Sequence, residues 1–106
     1  IDIVDDQISN PTFVNSLVDI INKSILLDLS GTYNYGSNNF ISRYDFALFI
    51  AEYFNFNNSL ITPIKTHDLQ QIAKRPLKTG LICDNIQKIL DIELETIPYI
   101  LYKYPN

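Results

Sequence analysis

The chain of 106 residues is long enough for one domain and too short for two of ordinary size. Apolar residues make up 46% and charged residues 19%, a balance that allows a globular core and argues against intrinsic disorder. The formal net charge of −4 argues against a general nucleic-acid-binding protein, because phosphate contacts require a basic face. Cys83 is the single cysteine, which excludes an internal disulfide and a metal site built from several cysteines.

The sequence also lacks targeting signals. No apolar run reaches the roughly 18 residues needed to span a bilayer, and no signal peptide is visible, so we expect a cytoplasmic protein that does not contact membranes. The chain contains no methionine and begins directly in the apolar alternation "IDIVDD". We therefore interpret residues 1–106 as a single-domain fragment of a longer protein.

The first half of the chain predicts a strand, a helix and a second strand. The apolar alternation at Ile1 to Val4 indicates a short strand, and Asn10-Pro11 is a typical helix start. Four apolar residues then recur at helical spacing and form one face of the predicted helix: Val14, Leu17, Val18 and Ile21. The segment "GTYNYGS", residues 31–37, has β-favouring residues between glycines and predicts a strand with a turn at each end.

The clearest helix start lies at Ser42, whose hydroxyl can accept from the backbone N–H of Asp45 in an acidic variant of the capping box. Large side chains then recur at helical spacing, which is far more typical of a core than of a flavin- or base-stacking surface; they are Phe46, Phe49, Ile50, Tyr53 and Phe54.

The second half predicts one more strand and two short helices. The segment "LITPI" indicates an edge strand, because Pro63 cannot donate to a ladder. Residues 65–80 are polar and loop-like, and Asp84 with Gln87 predicts the start of a short helix. A last helical segment is expected from Thr96 to Tyr102, ending at Pro105. Strands that alternate with helices predict an α/β fold.

Two sequence matches to cofactor-binding motifs do not withstand inspection. The spacing of Gly31 and Gly36 resembles a phosphate-binding loop, but Ser37-Asn38 follow in place of the required Lys and Ser or Thr. The chain also has no G-x-G-x-x-G and so cannot supply its own dinucleotide fingerprint. Tyr99 and Lys103 form a Y-x-x-x-K pair, which we reject as catalytic because no glycine loop precedes it and it lies at the end of the chain.

Isolated ionisable residues offer little support for catalysis. His67 is the only histidine and lacks the second His or Cys that a metal or catalytic role requires, so a surface or capping role is the better interpretation. Asp5 and Asp6 are adjacent, and neighbouring strand residues point to opposite faces, which disfavours a carboxylate pair that works together.

A basic cluster is the main candidate for ligand binding. It contains half of the eight basic residues within a 14-residue stretch that holds one acid, Asp68, and its members are Lys65, Lys74, Arg75 and Lys78. In an acidic protein such a cluster is a candidate anion site, since an arginine can bind diphosphate oxygens in bidentate fashion. A solvated loop without a ligand remains an equal alternative.

Taken in order, several segments resemble the C-terminal third of dTDP-4-dehydrorhamnose reductases, which are extended short-chain dehydrogenases/reductases of Rossmann type. These segments are "VDDQ", "PTFVNSLVDII", "GTYNYGSNNFISRYDFALFIAEYF", "LITPI" and "KRPLKTGLICDNIQKIL". The resemblance covers residues 3 to about 95. Its most specific parts are D-D-Q followed by P-T, the S-R-Y-D-F-A helix start, and the R-P before the last helix.

The resemblance implies that the full-length protein reduces the 4-keto group of a nucleotide-linked deoxysugar with NADPH, in dTDP-rhamnose biosynthesis. In this family the N-terminal Rossmann half holds the cofactor and the catalytic Tyr/Lys pair, and the C-terminal portion supplies much of the nucleotide-sugar pocket. Residues 1–106 correspond to that second, substrate-binding portion. We therefore expect no catalytic, cofactor-binding or metal-binding residue in this fragment, and no activity from it alone.

The same resemblance implies three substrate-binding residues. Gln7 matches the D-Q position and Thr12 the P-T position, which shape the sugar pocket, and Arg75 matches the R-P position, where we expect contact with the diphosphate. The family usually has Gly-Ser before P-T, whereas this chain has Ser9-Asn10, and the chain also lacks the tryptophan often used for sugar packing.

One alternative function belongs to another class. Relatives of these reductases include non-catalytic regulatory subunits that bind a partner enzyme, such as the β subunit of methionine adenosyltransferase. The C-terminal portion does not separate the two functions. We also expect a possible homodimer, because a fragment cut from a larger sheet would expose Val14, Leu17 and Val18, or strand edges near Tyr33.

Overall fold

The computed structural model describes residues 1–103 and has a mixed α/β fold. The strands are β1 (Asp2–Val4), β2 (Ile8–Ser9), β3 (Ile41–Ser42) and β4 (Thr62–Ile64). The helices are α1 (Val14–Leu26), α2 (Arg43–Tyr53), α3 (Asp84–Leu90) and α4 (Ile97–Lys103), with 3-10 turns at Asn58–Leu60 and Thr66–Leu69. The chain divides into two compact units, the first formed by Ile1–Ser9 and Phe40–Thr79, the second by Asn10–Asn39 and the residues from Gly80 onward.

The first unit contains two small sheets. Strands β1 and β4 are parallel, with Asp2 opposite Thr62 and Val4 opposite Ile64, and β2 pairs with β3 in antiparallel fashion. Pro63 is accommodated because the ladder bonds on either side are made by other residues: Thr62 N donates to Ile1 O at 2.9 Å, and Asp5 N donates to Ile64 O at 3.0 Å. The predicted strands at both positions are therefore confirmed.

Helix α2 packs against β1 and supplies the apolar side of the first unit. It begins as predicted, with Ser42 as N-cap and its hydroxyl accepting from Asp45 N at 3.0 Å. Val4 and Ala51 are the buried apolar residues of this unit, each 3% exposed. The predicted core stripe is only partly buried, because Phe46, Ile50, Tyr53 and Phe54 are half-buried and Phe49 is exposed.

The second unit has a core of Ile20, Cys83 and Ile86, and Leu29, Tyr33, Tyr35, Leu90, Ile92 and Leu94 pack around it. The helices predicted near Asp84 and after Thr96 are present as α3 and α4. Helix α3 begins at Asp84 as predicted, and its N-cap residue, Cys83, makes no side-chain capping bond. The end of the last helix predicted at Pro105 lies outside the described residues.

The strand predicted at residues 31–37 is absent, because this segment makes isolated hydrogen bonds and no ladder. Ser37 N donates to Pro11 O at 3.2 Å, and Asn34 Nδ2 donates to Ile82 O at 3.4 Å. Its tyrosines pack on the core of the second unit. The β-favouring tyrosines of this segment therefore contribute to the core and do not form a strand.

The predicted helix start at Asn10-Pro11 is displaced, since α1 begins at Val14 with Phe13 as N-cap. Asn10 instead joins two distant segments: its Nδ2 donates to Ser37 O at 3.1 Å and to Leu81 O at 3.0 Å, and its Oδ1 accepts from Leu81 N at 2.8 Å. The amide lies against Gly36, where an added Cβ would come within 2.6 Å of Asn10 Nδ2. This close approach explains a glycine at position 36.

Replacing Asn10 by alanine should destabilise the protein by about 3 kcal/mol or more, since it strands three buried or part-buried backbone groups at about 1–3 kcal/mol each. Urea unfolding measures the change. Asn22→Ala on the exposed surface of α1 is the matched control, and we expect it to change the free energy of unfolding by about 0.5 kcal/mol or less. A cost below about 1 kcal/mol for Asn10→Ala would contradict this role.

Helix α1 leaves much of its apolar face uncovered by the described residues. Ser16 and Ile20 are its buried residues, whereas Val14 is 63% exposed and Val18 is 48% exposed. Ile21 and Ile25 extend the same exposed face. The predicted exposure is thus found at Val14 and Val18, while Leu17 is half-buried.

Because this face is large and apolar, we expect residues 1–106 to form a homodimer in isolation. Light scattering at high protein concentration should detect the dimer, and Val18→Lys should weaken it. Asn22→Lys adds the same charge to α1 at a polar position and should have less effect. A strictly monomeric protein at high concentration would contradict the expectation.

Candidate functional site

The first unit carries a cleft of about 460 Å³ at which charged and polar side chains converge. Its charged and polar lining residues are Asp6, Thr66, His67, Gln70, Gln71, Lys74 and Arg75. Two other clefts, one in each unit, are lined mainly by apolar side chains. Since ligand sites combine a concave surface with a few convergent polar groups, the first cleft is the best candidate site.

One wall of the cleft is built where the chain continues beyond β1 and β4. Asp6 accepts from Thr66 through two groups: the Thr66 hydroxyl donates to Asp6 Oδ1 at 2.6 Å, and the Thr66 backbone N–H lies 3.1 Å from both carboxylate oxygens. Gln7 Nε2 donates to the same Thr66 hydroxyl at 3.1 Å. The wall is therefore a fixed chain of hydrogen bonds from Gln7 through Thr66 to Asp6.

These bonds favour the ionised form of Asp6. The hydrogen bond from the Thr66 hydroxyl is the main cause that lowers the pKa of the Asp6 carboxyl below its ordinary value, against the opposing effect of desolvation. The Thr66 backbone N–H and the nearby Lys65 ammonium act in the same direction. Asp6 is thus a negatively charged hydrogen-bond acceptor at neutral pH.

The basic cluster predicted from the sequence separates into members with different contacts. Lys65 Nζ forms an ion pair with Asp5 Oδ1 at 2.8 Å, and this partner raises the pKa of the Lys65 ammonium. Lys78 forms an isolated parallel β-bridge with Ile8 through its backbone. Lys74 and Arg75 are exposed and line the cleft. The cleft therefore combines two cationic side chains with the anionic Asp6.

The turn that carries the cleft has an unusual backbone conformation. Gln70 has a φ of +45°, in the left-handed region that only glycine adopts readily and that Asn and Asp tolerate better than Gln does. The other non-glycine residues with positive φ in residues 1–103 are all Asn or Asp: Asp28, Asn55 and Asp91. Gln70 turns the chain between Thr66 and the basic residues at the point where the cleft forms.

His67 lines this cleft and is largely exposed, with its Nε2 3.0 Å from Asp68 Oδ1. Within residues 1–103, no group of three or more His, Cys, Asp or Glu side chains is placed to hold a metal ion. Over the same residues, no helix is long and apolar enough to cross a membrane.

Comparisons with known proteins identify the family. The model of the RmlD substrate binding domain matches residues 1–103. The chain belongs to the RmlD substrate binding domain family. Among curated proteins, none gives a significant match.

Solved structures agree with this RmlD-type assignment. One similar structure is dTDP-4-dehydrorhamnose reductase from Bacillus anthracis in complex with NADP, with a TM-score of 0.81 and 27% identity; the match covers 96% of this chain and 38% of that one. The enzyme from Yersinia enterocolitica gives a TM-score of 0.82 at 26% identity, covering 98% of this chain and 36% of that one. The ortholog from Clostridium acetobutylicum gives 0.80 at 27%, covering 98% and 39%.

These findings confirm the predicted α/β fold and the resemblance to dTDP-4-dehydrorhamnose reductases. The RmlD-type chain spans about two-fifths or less of the length of these relatives.

The three predicted substrate residues have different environments in this RmlD-type chain. Arg75 lines the cleft. Gln7 is 6% exposed, and its side-chain amide donates a hydrogen bond to Thr66, which lines the cleft. Thr12 belongs to the second unit and is exposed. The sequence assigns no individual role to Asp6 and gives no signal for Thr66, although both line the cleft and the D-D-Q segment indicates this part of the chain.

The Tyr99 and Lys103 pair, rejected above as catalytic, has other contacts. Lys103 Nζ lies 3.1 Å from Glu95 Oε1 and 5.8 Å from the centroid of the Tyr99 ring, over its face. These are the contacts of an ion pair and a cation–π interaction.

The hydrogen bond from Thr66 to Asp6 should make the stability of the fold depend on pH. Because the pKa of Asp6 is lower in the folded protein, the bond stabilises the fold above the ordinary carboxyl pKa, and this contribution is lost as the pH falls through the lowered pKa. Thr66→Val should raise the pKa of Asp6, measured by NMR titration, and weaken this pH dependence. Thr62→Val, at an exposed position of β4, is the control. An unchanged pKa of Asp6 in Thr66→Val would contradict the assignment.

Proposed function

We propose that this chain is the substrate-binding part of a dTDP-4-dehydrorhamnose reductase, which reduces a 4-keto nucleotide sugar with NADPH in dTDP-rhamnose biosynthesis. The observation that carries the proposal is that Arg75, Lys74 and Asp6 line one cleft, in a member of a substrate-binding family. A nucleotide-diphosphate sugar has matching chemistry, since it joins an anionic diphosphate to a hydroxyl-bearing ring.

In this proposal Arg75 binds the diphosphate, and Lys74 adds positive charge beside it. The planar guanidinium can present two parallel N–H groups to phosphate oxygens, whereas the ammonium of Lys74 acts as a point charge. Gln7 shapes the sugar pocket through its hydrogen bond to Thr66. Thr12, which belongs to the second unit, stays a predicted substrate residue.

The chemical step requires groups outside these 106 residues. The chain has glycines only at positions 31, 36 and 80, so it has no G-x-G-x-x-G. The Bacillus anthracis relative, of which the match covers 38%, is a complex with NADP. We expect NADPH to be bound mainly by a further, N-terminal part of the full-length protein, and the fragment alone to be inactive.

Arg75→Ala in the full-length protein should raise KM for the dTDP-4-keto sugar about 10- to 100-fold, the worth of one hydrogen-bonded charge contact, with little change in kcat. Steady-state NADPH oxidation measures both constants. Lys88→Ala is the matched control, because it removes a positive charge from an exposed position of α3 in the second unit. An unchanged KM in Arg75→Ala would remove Arg75 from the site.

The same assay separates the alternative function. If the full-length protein fails to oxidise NADPH with any dTDP-4-keto sugar and instead purifies with a partner enzyme, it is a non-catalytic regulatory subunit, like the β subunit of methionine adenosyltransferase. If the full-length protein does oxidise NADPH with such a sugar, it is not a purely regulatory subunit.

A further inference from the structure

The wall formed by Gln7, Thr66 and Asp6 has a defined hydrogen-bond direction. The Thr66 hydroxyl has one proton, and the distance of 2.6 Å to Asp6 Oδ1 is that of a charge-assisted bond in which the hydroxyl donates. Gln7 Nε2 supplies the bond that the hydroxyl accepts. Because its proton is committed to Asp6, the Thr66 hydroxyl has no donor to offer a ligand.

Gln7 is held rigidly enough to impose this direction. Its side chain is buried, and its backbone carbonyl accepts from Arg43 N, the first residue of α2, at 3.1 Å. Gln7 is not among the residues that line the cleft. It therefore acts on the cleft through Thr66.

Asp6 keeps acceptor capacity for a ligand. A carboxylate has about four lone-pair directions, and Thr66 uses its one hydroxyl proton and one shared backbone N–H on this group. Asp6 is half-buried and faces the cleft that Lys74 and Arg75 also line. A group that binds here must donate a hydrogen bond, because a phosphate oxygen would meet a like charge.

We propose that Asp6 determines specificity for the sugar: its carboxylate accepts a hydrogen bond from a hydroxyl of the sugar attached to the diphosphate at Arg75. Gln7 and Thr66 are positioning residues that hold this acceptor in place. The inference rests on the function proposed above and adds the group that distinguishes a nucleotide sugar from the bare nucleotide.

The test measures dissociation constants of the full-length protein for two stable probes, dTDP and dTDP-glucose, by titration calorimetry. Asp6→Asn keeps the size of the side chain and its ability to cap the turn at Thr66. It should weaken dTDP-glucose roughly tenfold, the loss of one charged acceptor, and leave dTDP unchanged or bound slightly more tightly. Asp2→Asn, at an exposed position of β1, is the matched control and should affect neither probe.

Three further variants test the positioning residues. Thr66→Val and Gln7→Leu should each weaken dTDP-glucose several-fold relative to dTDP, whereas Thr66→Ser, which retains the hydroxyl, should preserve the wild-type ratio of the two constants. A purely structural role would change both probes together. If Asp6→Asn does not fold, these three variants still test whether Asp6 contacts the sugar.

The combined results for Asp6→Asn and Arg75→Ala decide between the two proposals. If Asp6→Asn changes both probes equally or neither, Asp6 only caps the turn and the sugar contact is wrong. If Arg75→Ala changes neither probe, the proposed function fails at its diphosphate site whatever Asp6 does. If Arg75→Ala weakens both probes equally while Asp6→Asn changes only dTDP-glucose, both proposals hold.

Discussion

The register of the parallel pair β1 and β4 is the constraint on which the candidate site depends. The two strands pair residues that are 60 positions apart, from Asp2 with Thr62 to Val4 with Ile64. The same offset continues past the strand ends, where Asp5 meets Lys65 and Asp6 meets Thr66. A slip of one residue would turn the side chains to the other face and separate both pairs, so the acidic wall follows from the ladder.

The loop that carries the two basic residues of the cleft is anchored by the same short segment. The loop that carries Lys74 and Arg75 begins at the Asp5–Lys65 ion pair and ends where it pairs with Ile8: Ile8 N donates to Leu77 O at 2.7 Å, and Thr79 N donates to Ile8 O at 3.0 Å. Residues 5–8 therefore anchor both ends of the loop. The positive φ of Gln70 lets the loop turn within that span.

Local signals in the sequence were sufficient where an element depends on its own residues. The cap at Ser42 and Asp45 predicted α2, and the apolar alternation before Asp5 predicted β1. Local signals failed where distant contacts decide the outcome. Asn10 resembles a helix cap in sequence, yet its amide is worth more to the fold as three bonds to Ser37 and Leu81 than as one cap. Residues 31–37 favour β-structure but have no ladder partner among the described residues.

The site was predictable to a similar degree. Arg75 was found from charge clustering and from the resemblance, because both are properties of neighbouring residues. The role of Thr66 was not accessible, since its bonds to Asp6 and Gln7 join residues about 60 positions apart and depend on a strand register that a single sequence does not specify.

The adjacent acids Asp5 and Asp6 illustrate how that register assigns function. Successive residues of an extended chain point in opposite directions, so the pair was not expected to act together. Asp5 binds Lys65, which neutralises one member of the basic cluster, whereas Asp6 binds Thr66 and lines the cleft. Asp5 thus pairs with a lysine that does not line the cleft, and Asp6 contributes a carboxylate to the cleft. This division leaves a cleft lined by two cationic side chains and one anionic one, which suits a ligand that carries both an anionic group and hydroxyl groups.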